Sequence, residues 1–235
     1  AAAFFWPAVH PLVLELQESS VPDSEGERYS QTKPGDDPTE LFALRDWREG
    51  DRLSRIHWKL SQKMGKPLVK ELGLPIADHL FFLLDVNGTG VDADTLLDAF
   101  ATLSHFLAER ETAHRVGYWD TRGNRLRCLE ISQPEDLLPV WREILSSQGL
   151  APLPALEGEA LPAGVSHCLY LCCMPQPSLL GALRAQYPAA RLSVLQAAES
   201  WTTARESRSD TLGGEAQLTV LRPGRIAENL NGFLL

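Results

Sequence analysis

The sequence predicts an α/β fold: an open, mostly parallel sheet with helices on both faces, interrupted by one antiparallel hairpin. Three observations carry this. A continuous apolar run, HLFFLLDV at residues 79–86, closes on an acid and is followed by Asn87-Gly88-Thr89-Gly90 and a helical pattern, which suits a central strand buried on both faces. Further apolar strands at residues 167–173, 191–197 and 217–221 alternate with helix-period stretches, the order that builds a parallel sheet through right-handed crossovers. Two short strand patterns around Asp120-Thr121-Arg122-Gly123-Asn124 read as the hairpin.

Residues 4–16 contain Pro7 and Pro11, so Leu12–Leu16 is expected as an edge strand or extended arm. Residues 17–39 turn to Ser, Pro, Gly, Asp and Glu with almost no large apolar side chain, the composition of a solvated acidic loop. Residues 1–40 are therefore taken as an N-terminal arm and loop, 41–78 as a basic segment packed on the main domain, and 79–235 as the α/β domain.

The stretch from Leu44 to Glu71 differs from everything around it. Eight basic residues against four acidic leave it at +4 in a chain of net charge -9. Such asymmetry means either a cationic face turned to a partner or pairing with acids of the same chain. Gly50-Asp51 reads as a turn into a short helix with Asp51 as N-cap, ended by Gly65-Lys66-Pro67, and residues 68–72 resume as a strand. Arg and Trp are the residue types that dominate interface energetics. Arg45, Arg48, Arg52 and Arg55, with His57, Trp58, Lys59 and Lys63, are the candidate partner-binding residues.

After the central strand, Leu96, Phe100, Leu103 and Leu107 recur at helical spacing between residue 92 or 93 and Arg110, with acids in the first turn. Strands at 115–119 and 125–131 form the hairpin. A helix starts near Ser132, whose spacing to Glu135 makes a capping box, bends at Pro139 and runs to Gly149. Residues 150–164, with Pro152, Pro154 and Pro162, read as a surface crossover. A helix over 178–187 stops at Pro188; residues 201–215 are polar; a short helix is expected at 225–230.

Composition narrows the function. With 44% hydrophobic and 23% charged residues the chain is an ordinary globular protein, and a pI near 5.2 argues against a general nucleic-acid binder. Contact through the basic stretch alone would weaken steeply with salt. The four cysteines, Cys128, Cys168, Cys172 and Cys173, lack the C-x-x-C spacing of a zinc site; in a strand, Cys168 and Cys172 face one side and Cys173 the other. Unpaired buried thiols favour a reducing compartment. No membrane span or signal peptide is evident, and the start without Met suggests that an upstream part is missing.

The order G-D-x-x-x-R-I-H-W-K at Gly50, Asp51, Arg55, Ile56, His57, Trp58 and Lys59, preceded by Leu44-Arg45 and followed by Pro67-Leu68-Val69-Lys70-Glu71, resembles the bacterial "domain of unknown function 58" family. The resemblance covers about residues 41–90 and extends further only by the order of elements. It implies a missing N-terminal region with two transmembrane helices and a β-rich segment. The chain would then lie on the cytoplasmic face of the bacterial inner membrane and partner a MoxR-type AAA+ ATPase in assembly or maturation of other complexes.

The order strand, helix, hairpin, helix, strand is similar to a von Willebrand factor type A domain, in which an aspartate and two hydroxyls at alternate positions hold a divalent metal. Asp85 fits the first position, Asn87 replaces the first hydroxyl and Thr89 fits the second. That kind of site also takes a threonine and a further acid, where this chain has Gln148-Gly149-Leu150 and Met174-Pro175. Mg2+ wants several oxygens in near-octahedral geometry, so no metal is expected, and Asp85 would cap the following turn. The alternative is a metal-dependent ligand-binding domain or hydrolase centred on Asp85 and Thr89, with His57 beside Asp51 and Arg55 as acid-base machinery. No nucleophile elbow or phosphate loop accompanies them, so the leading expectation is a non-enzymatic interaction module without cofactor.

Overall fold

Alternate side chains of the run at His79–Asp85 pack to opposite sides, and the fold is built around that strand. Leu80, Phe82 and Leu84 enter one apolar cluster and Phe81 and Leu83 another, as the two-residue period of a strand buried on both faces requires. The computed structural model describes residues 6–16, 21–23, 26, 28–77, 79–146, 152–154, 156, 158–198 and 216–235. The chain divides into two compact units, residues 18–78 and residues 1–17 with 79–235. Residues 1–17 thus go with the α/β part, and the acidic stretch goes with the basic one, where the sequence suggested a single arm and loop.

In the smaller unit, β1 (Arg28–Tyr29) pairs antiparallel with β4 (Pro75–Ile76), and β2 (Asp37–Asp46) with β3 (Leu68–Gly73). The expected solvated loop over 17–39 is corrected for its described residues. Ser30 N–H donates to Leu74 O, Gly35 N–H to Leu72 O and the Tyr29 hydroxyl to Asp37, which ties this polar stretch to the strands at 68–76. Apolar side chains were not required, because backbone pairing anchors it.

A 3-10 turn at Leu53–Arg55 and α1 (Trp58–Met64) lie between β2 and β3. His57, not Asp51, is the N-cap of α1: its Nδ1 accepts from Leu60 N–H at 3.4 Å. Ser61 Oγ donates to His57 O and accepts from Leu68 N–H, and His57 N–H donates to Leu68 O, so α1 is tied to the start of β3. Gly65 closes the helix in the left-handed region, at φ 69°, as a helix-ending glycine does.

In the larger unit the sheet order is β10-β9-β8-β5-β6-β7, with β5 (His79–Asp85), β6 (His114–Asp120), β7 (Arg125–Ile131), β8 (Val165–Cys172), β9 (Arg191–Ala197) and β10 (Gln217–Leu221). All neighbouring pairs are parallel except the β6–β7 hairpin. α2 (Val91–Ala108), α3 (Pro134–Ser146) and α5 (Ile226–Leu230) cover one face, while α4 (Pro177–Gln186) covers the other. Cys168 and Cys172 join the α4 face and Cys173 the α2 face.

Three local expectations change. Asp136, not Glu135, accepts from Ser132 and Gln133 N–H at the start of α3. Of the expected surface crossover, Leu153 and Leu156 are buried beneath α4 with Phe81 and Leu179, so the connection supplies core. Leu12–Leu16 is an extended arm with one bridge, Glu15 to Leu234, and Leu12 and Leu14 pack on the α2 face. Residues 147–150 and 201–215 lie outside the described residues. Among the described residues no helix is long and apolar enough to cross a membrane.

Candidate functional site

The chain order reverses between β5 and β8, and in an open parallel sheet the carboxyl ends at such a point are where a ligand is expected. Here the place is filled by the protein itself. Asp85 is 0% exposed. Its Oδ1 accepts from Leu153 N–H at 2.8 Å, and its Oδ2 accepts from the Tyr170 hydroxyl at 2.6 Å, Gln176 Nε2 at 2.9 Å and Asn87 Nδ2 at 3.0 Å. Burial pushes its pKa up, while Tyr170, Leu153 and Gln176 pull it down. Burial also pushes the Tyr170 phenol up, aided by Cys172 and Asp85, which keeps it a protonated donor.

Asn87 ties the two strand ends together. Its Oδ1 accepts from Cys173 N–H at 2.9 Å and Met174 N–H at 2.8 Å, and its Nδ2 also donates to Met174 O. Thr89 is exposed and is not among the partners of Asp85. The residues do not fit a Mg2+ site: both Asp85 oxygens are used by four donors, Asn87 is spent on the backbone, and no cluster of three or more His, Cys, Asp or Glu suited to a metal occurs among the described residues. The suggestion that Asp85 caps the following turn is corrected as well. Its partners come from residues 153, 170 and 176, far along the chain, and from the Asn87 side chain.

The basic segment is built differently. β2 and β3 place Arg45 opposite Val69 and Ala43 opposite Glu71, so Arg45 and Glu71 are diagonal neighbours on one face of the pair. The Arg45 fork grips Asp51 through two bonds of 2.6 Å, and its Nε donates to Glu71 at 2.9 Å. Gly50, at φ 99°, lets the chain reverse between Arg48 and Asp51. The Asp51 carboxylate then accepts from Arg48 N–H at 2.7 Å. Arg45, followed by Arg48, holds Asp51 down to about 2, and the acids raise Arg45 in turn.

This frame positions a cavity of about 410 Å3 lined by Arg45, Asp51, Arg52, Arg55, Lys70 and Glu71, together with the turn at Pro34–Asp36. Arg55 pairs with Asp36, whose side chain is 87% exposed. Arg48, Arg52, Lys59 and Lys63 are exposed, and none makes an ion pair among the described residues. Trp58 is 61% and Leu53 67% exposed.

Of the eight residues singled out from sequence, Arg45 builds the frame, His57 caps α1, Arg52 and Arg55 line the cavity with Arg45, and Arg48, Trp58, Lys59 and Lys63 face solvent. Sequence reasoning missed Asp36 and Lys70 as cavity residues. Lys70 and Glu71 were part of the quoted motif, but only the strand register aligns them with Arg45. Compared with models of protein families, with curated proteins and with solved structures, the chain matches none.

Proposed function

We propose that the chain is a non-enzymatic protein-docking module of von Willebrand A-like architecture, whose 44–71 segment receives an acidic surface of another protein. The single observation that carries this reading is the set of exposed cations Arg52, Lys59 and Lys63, without an ion pair among the described residues, beside the solvent-facing Trp58 and Leu53. Large apolar side chains left in water among cations match the make-up of interface anchors, in which Trp and Arg carry most of the energy. The Arg45–Asp51–Glu71 frame, with the bonds that tie His57 and Ser61 to Leu68, lowers the cost of binding by presenting these groups on an ordered backbone.

The motif resemblance supplies the partner: a MoxR-type AAA+ ATPase, engaged by a membrane-anchored bacterial protein at the cytoplasmic face of the inner membrane, in assembly or maturation of other complexes. The spent donor set at Asp85 favours this over a metal-dependent hydrolase. The test is binding of the full chain to a purified MoxR-type ATPase from the same genome, measured by biolayer interferometry. Lys59→Glu with Lys63→Glu, and separately Trp58→Ala, are each expected to weaken binding by about tenfold or more, the size of a lost interface anchor. Unchanged binding by both variants refutes the docking face.

A further inference from the structure

We propose that the cavity lined by Arg52, Arg55 and Lys70 receives a carboxylate of the docking partner, and that Asp36 holds the place of that carboxylate until it arrives. The inference rests on the docking reading and adds to it the chemistry that the pocket recognises.

The cations of the cavity are not equivalent. Arg45 is saturated, with its fork on Asp51 and its Nε on Glu71. Arg52 and Lys70 line the same cavity without an ion pair among the described residues. Arg55 has Asp36, and that contact has the character of a placeholder. The Asp36 carboxylate stands in water, where an ion pair contributes little, so a carboxylate delivered with other interface contacts displaces it at little cost. The backbone of Asp36 is held nearby, because Gly35 N–H donates to Leu72 O at 2.8 Å.

Asp36, Asp51 and Glu71 line the cavity with the four cations, so the lining is weakly positive, becomes more so once the Asp36 carboxylate is displaced, and attracts an anion. Planar guanidinium groups match a carboxylate through paired N–H donors. A cavity of about 410 Å3 exceeds the needs of one carboxylate and admits the side chain or chain end that bears it.

The test uses the full chain and a fluorescein-labelled hexapeptide of two glutamates flanked by glycines, read by fluorescence anisotropy at low ionic strength. The glutamine version is the control. Asp36→Asn removes the placeholder and is expected to tighten glutamate-peptide binding about threefold, within the worth of an exposed pair. Arg55→Gln and Arg52→Gln are each expected to weaken it by about tenfold, the cost of a charge-assisted contact. Lys59→Gln with Lys63→Gln, outside the cavity, is expected to change it less than about twofold, as screened rim charges do. Weaker or unchanged binding by Asp36→Asn and equal losses inside and outside the cavity each overturn the assignment. Failure of the wild-type chain to bind the peptide also overturns it, while ATPase binding by the α1 variants judges the docking reading separately.

Discussion

Asp85→Asn tests the view that the switch point is a structural latch. The substitution keeps the shape and removes the charge. Asp85 Oδ1 faces one donor, Leu153 N–H, and Oδ2 faces three, Tyr170, Gln176 and Asn87. Asparagine offers one oxygen, so either orientation sets its NH2 against at least one donor. With the amide oxygen toward Tyr170, the buried Leu153 N–H loses its acceptor. Leaving a buried donor unpaired costs about 1–3 kcal/mol, and weakening the charge-assisted bonds of the other three adds about 1 kcal/mol or more. Relief of the desolvation penalty on the carboxylate offsets part of this. The expected net loss is about 2–4 kcal/mol, or a fall in Tm of about 5–15 °C for a unit of this size. Urea and thermal unfolding followed by far-UV circular dichroism measure it, each with and without 5 mM Mg2+, a concentration on the order that saturates a protein Mg2+ site. A loss below about 0.5 kcal/mol, or a wild-type Tm that rises with Mg2+, would refute the latch.

The remaining predictions concern acid, packing and the exposed face. His114 and His167 are buried and hydrogen-bonded to Ser104 and Ser193 at 2.7 and 2.8 Å, and burial holds them down to about 4 and about 3, with Arg191 adding to the effect on His167. The unfolded chain, at about 6.5, takes up protons that the fold refuses, so this stability is complete above 6.5 and lost as pH falls toward 4 and 3. Between pH 7.5 and pH 5 each should lose about 2 kcal/mol, with the raised Asp85 working in the opposite direction; a Tm flat over that range would contradict the buried neutral histidines. Gly88→Ala places a Cβ 2.6 Å from Cys173 Sγ and 2.7 Å from its Cβ, so it should destabilise by about 1–3 kcal/mol, whereas Gly181→Ala, with nothing within 4 Å, should not, as denaturant midpoints would show. Trp58→Ala should leave stability within about 0.5 kcal/mol while weakening ATPase binding, because its ring is mostly in solvent; a large fall in the denaturant midpoint would mean the ring packs on the fold.

Much of the larger unit was readable because its strands announce themselves by composition. HLFFLLD at 79–85 is an apolar run suited to a sheet interior, RLSVLQA at 191–197 and QLTVL at 217–221 are short strand-type runs, and the hairpin followed from punctuation at 120–124. The smaller unit was less readable. β1 and the start of β2 lie in a polar stretch whose order comes from backbone hydrogen bonds to residues 72–76, and composition carries no trace of a backbone partner. The basic segment drew attention by its charge, yet the motif aspartate that looked like a helix cap is the anchor of Arg45. A side-chain oxygen near a turn satisfies either role, and the choice depends on which donor the fold brings within 3 Å.

Sequence alone determined the α/β class, the order of strands and helices in the larger unit, the antiparallel hairpin and the two faces that the cysteines occupy, because each follows from local periodicity and from how far an apolar run must go to leave water. Tertiary structure decided what the acids do. Residues 153, 170 and 176 close on Asp85, and residues 36, 70 and 71 gather around Arg45, Arg52 and Arg55. A carboxylate reads the same in the sequence whether it holds a metal, a tyrosine or an arginine. Only the partner that folding delivers from a distant part of the chain sets its charge, its exposure and therefore its use.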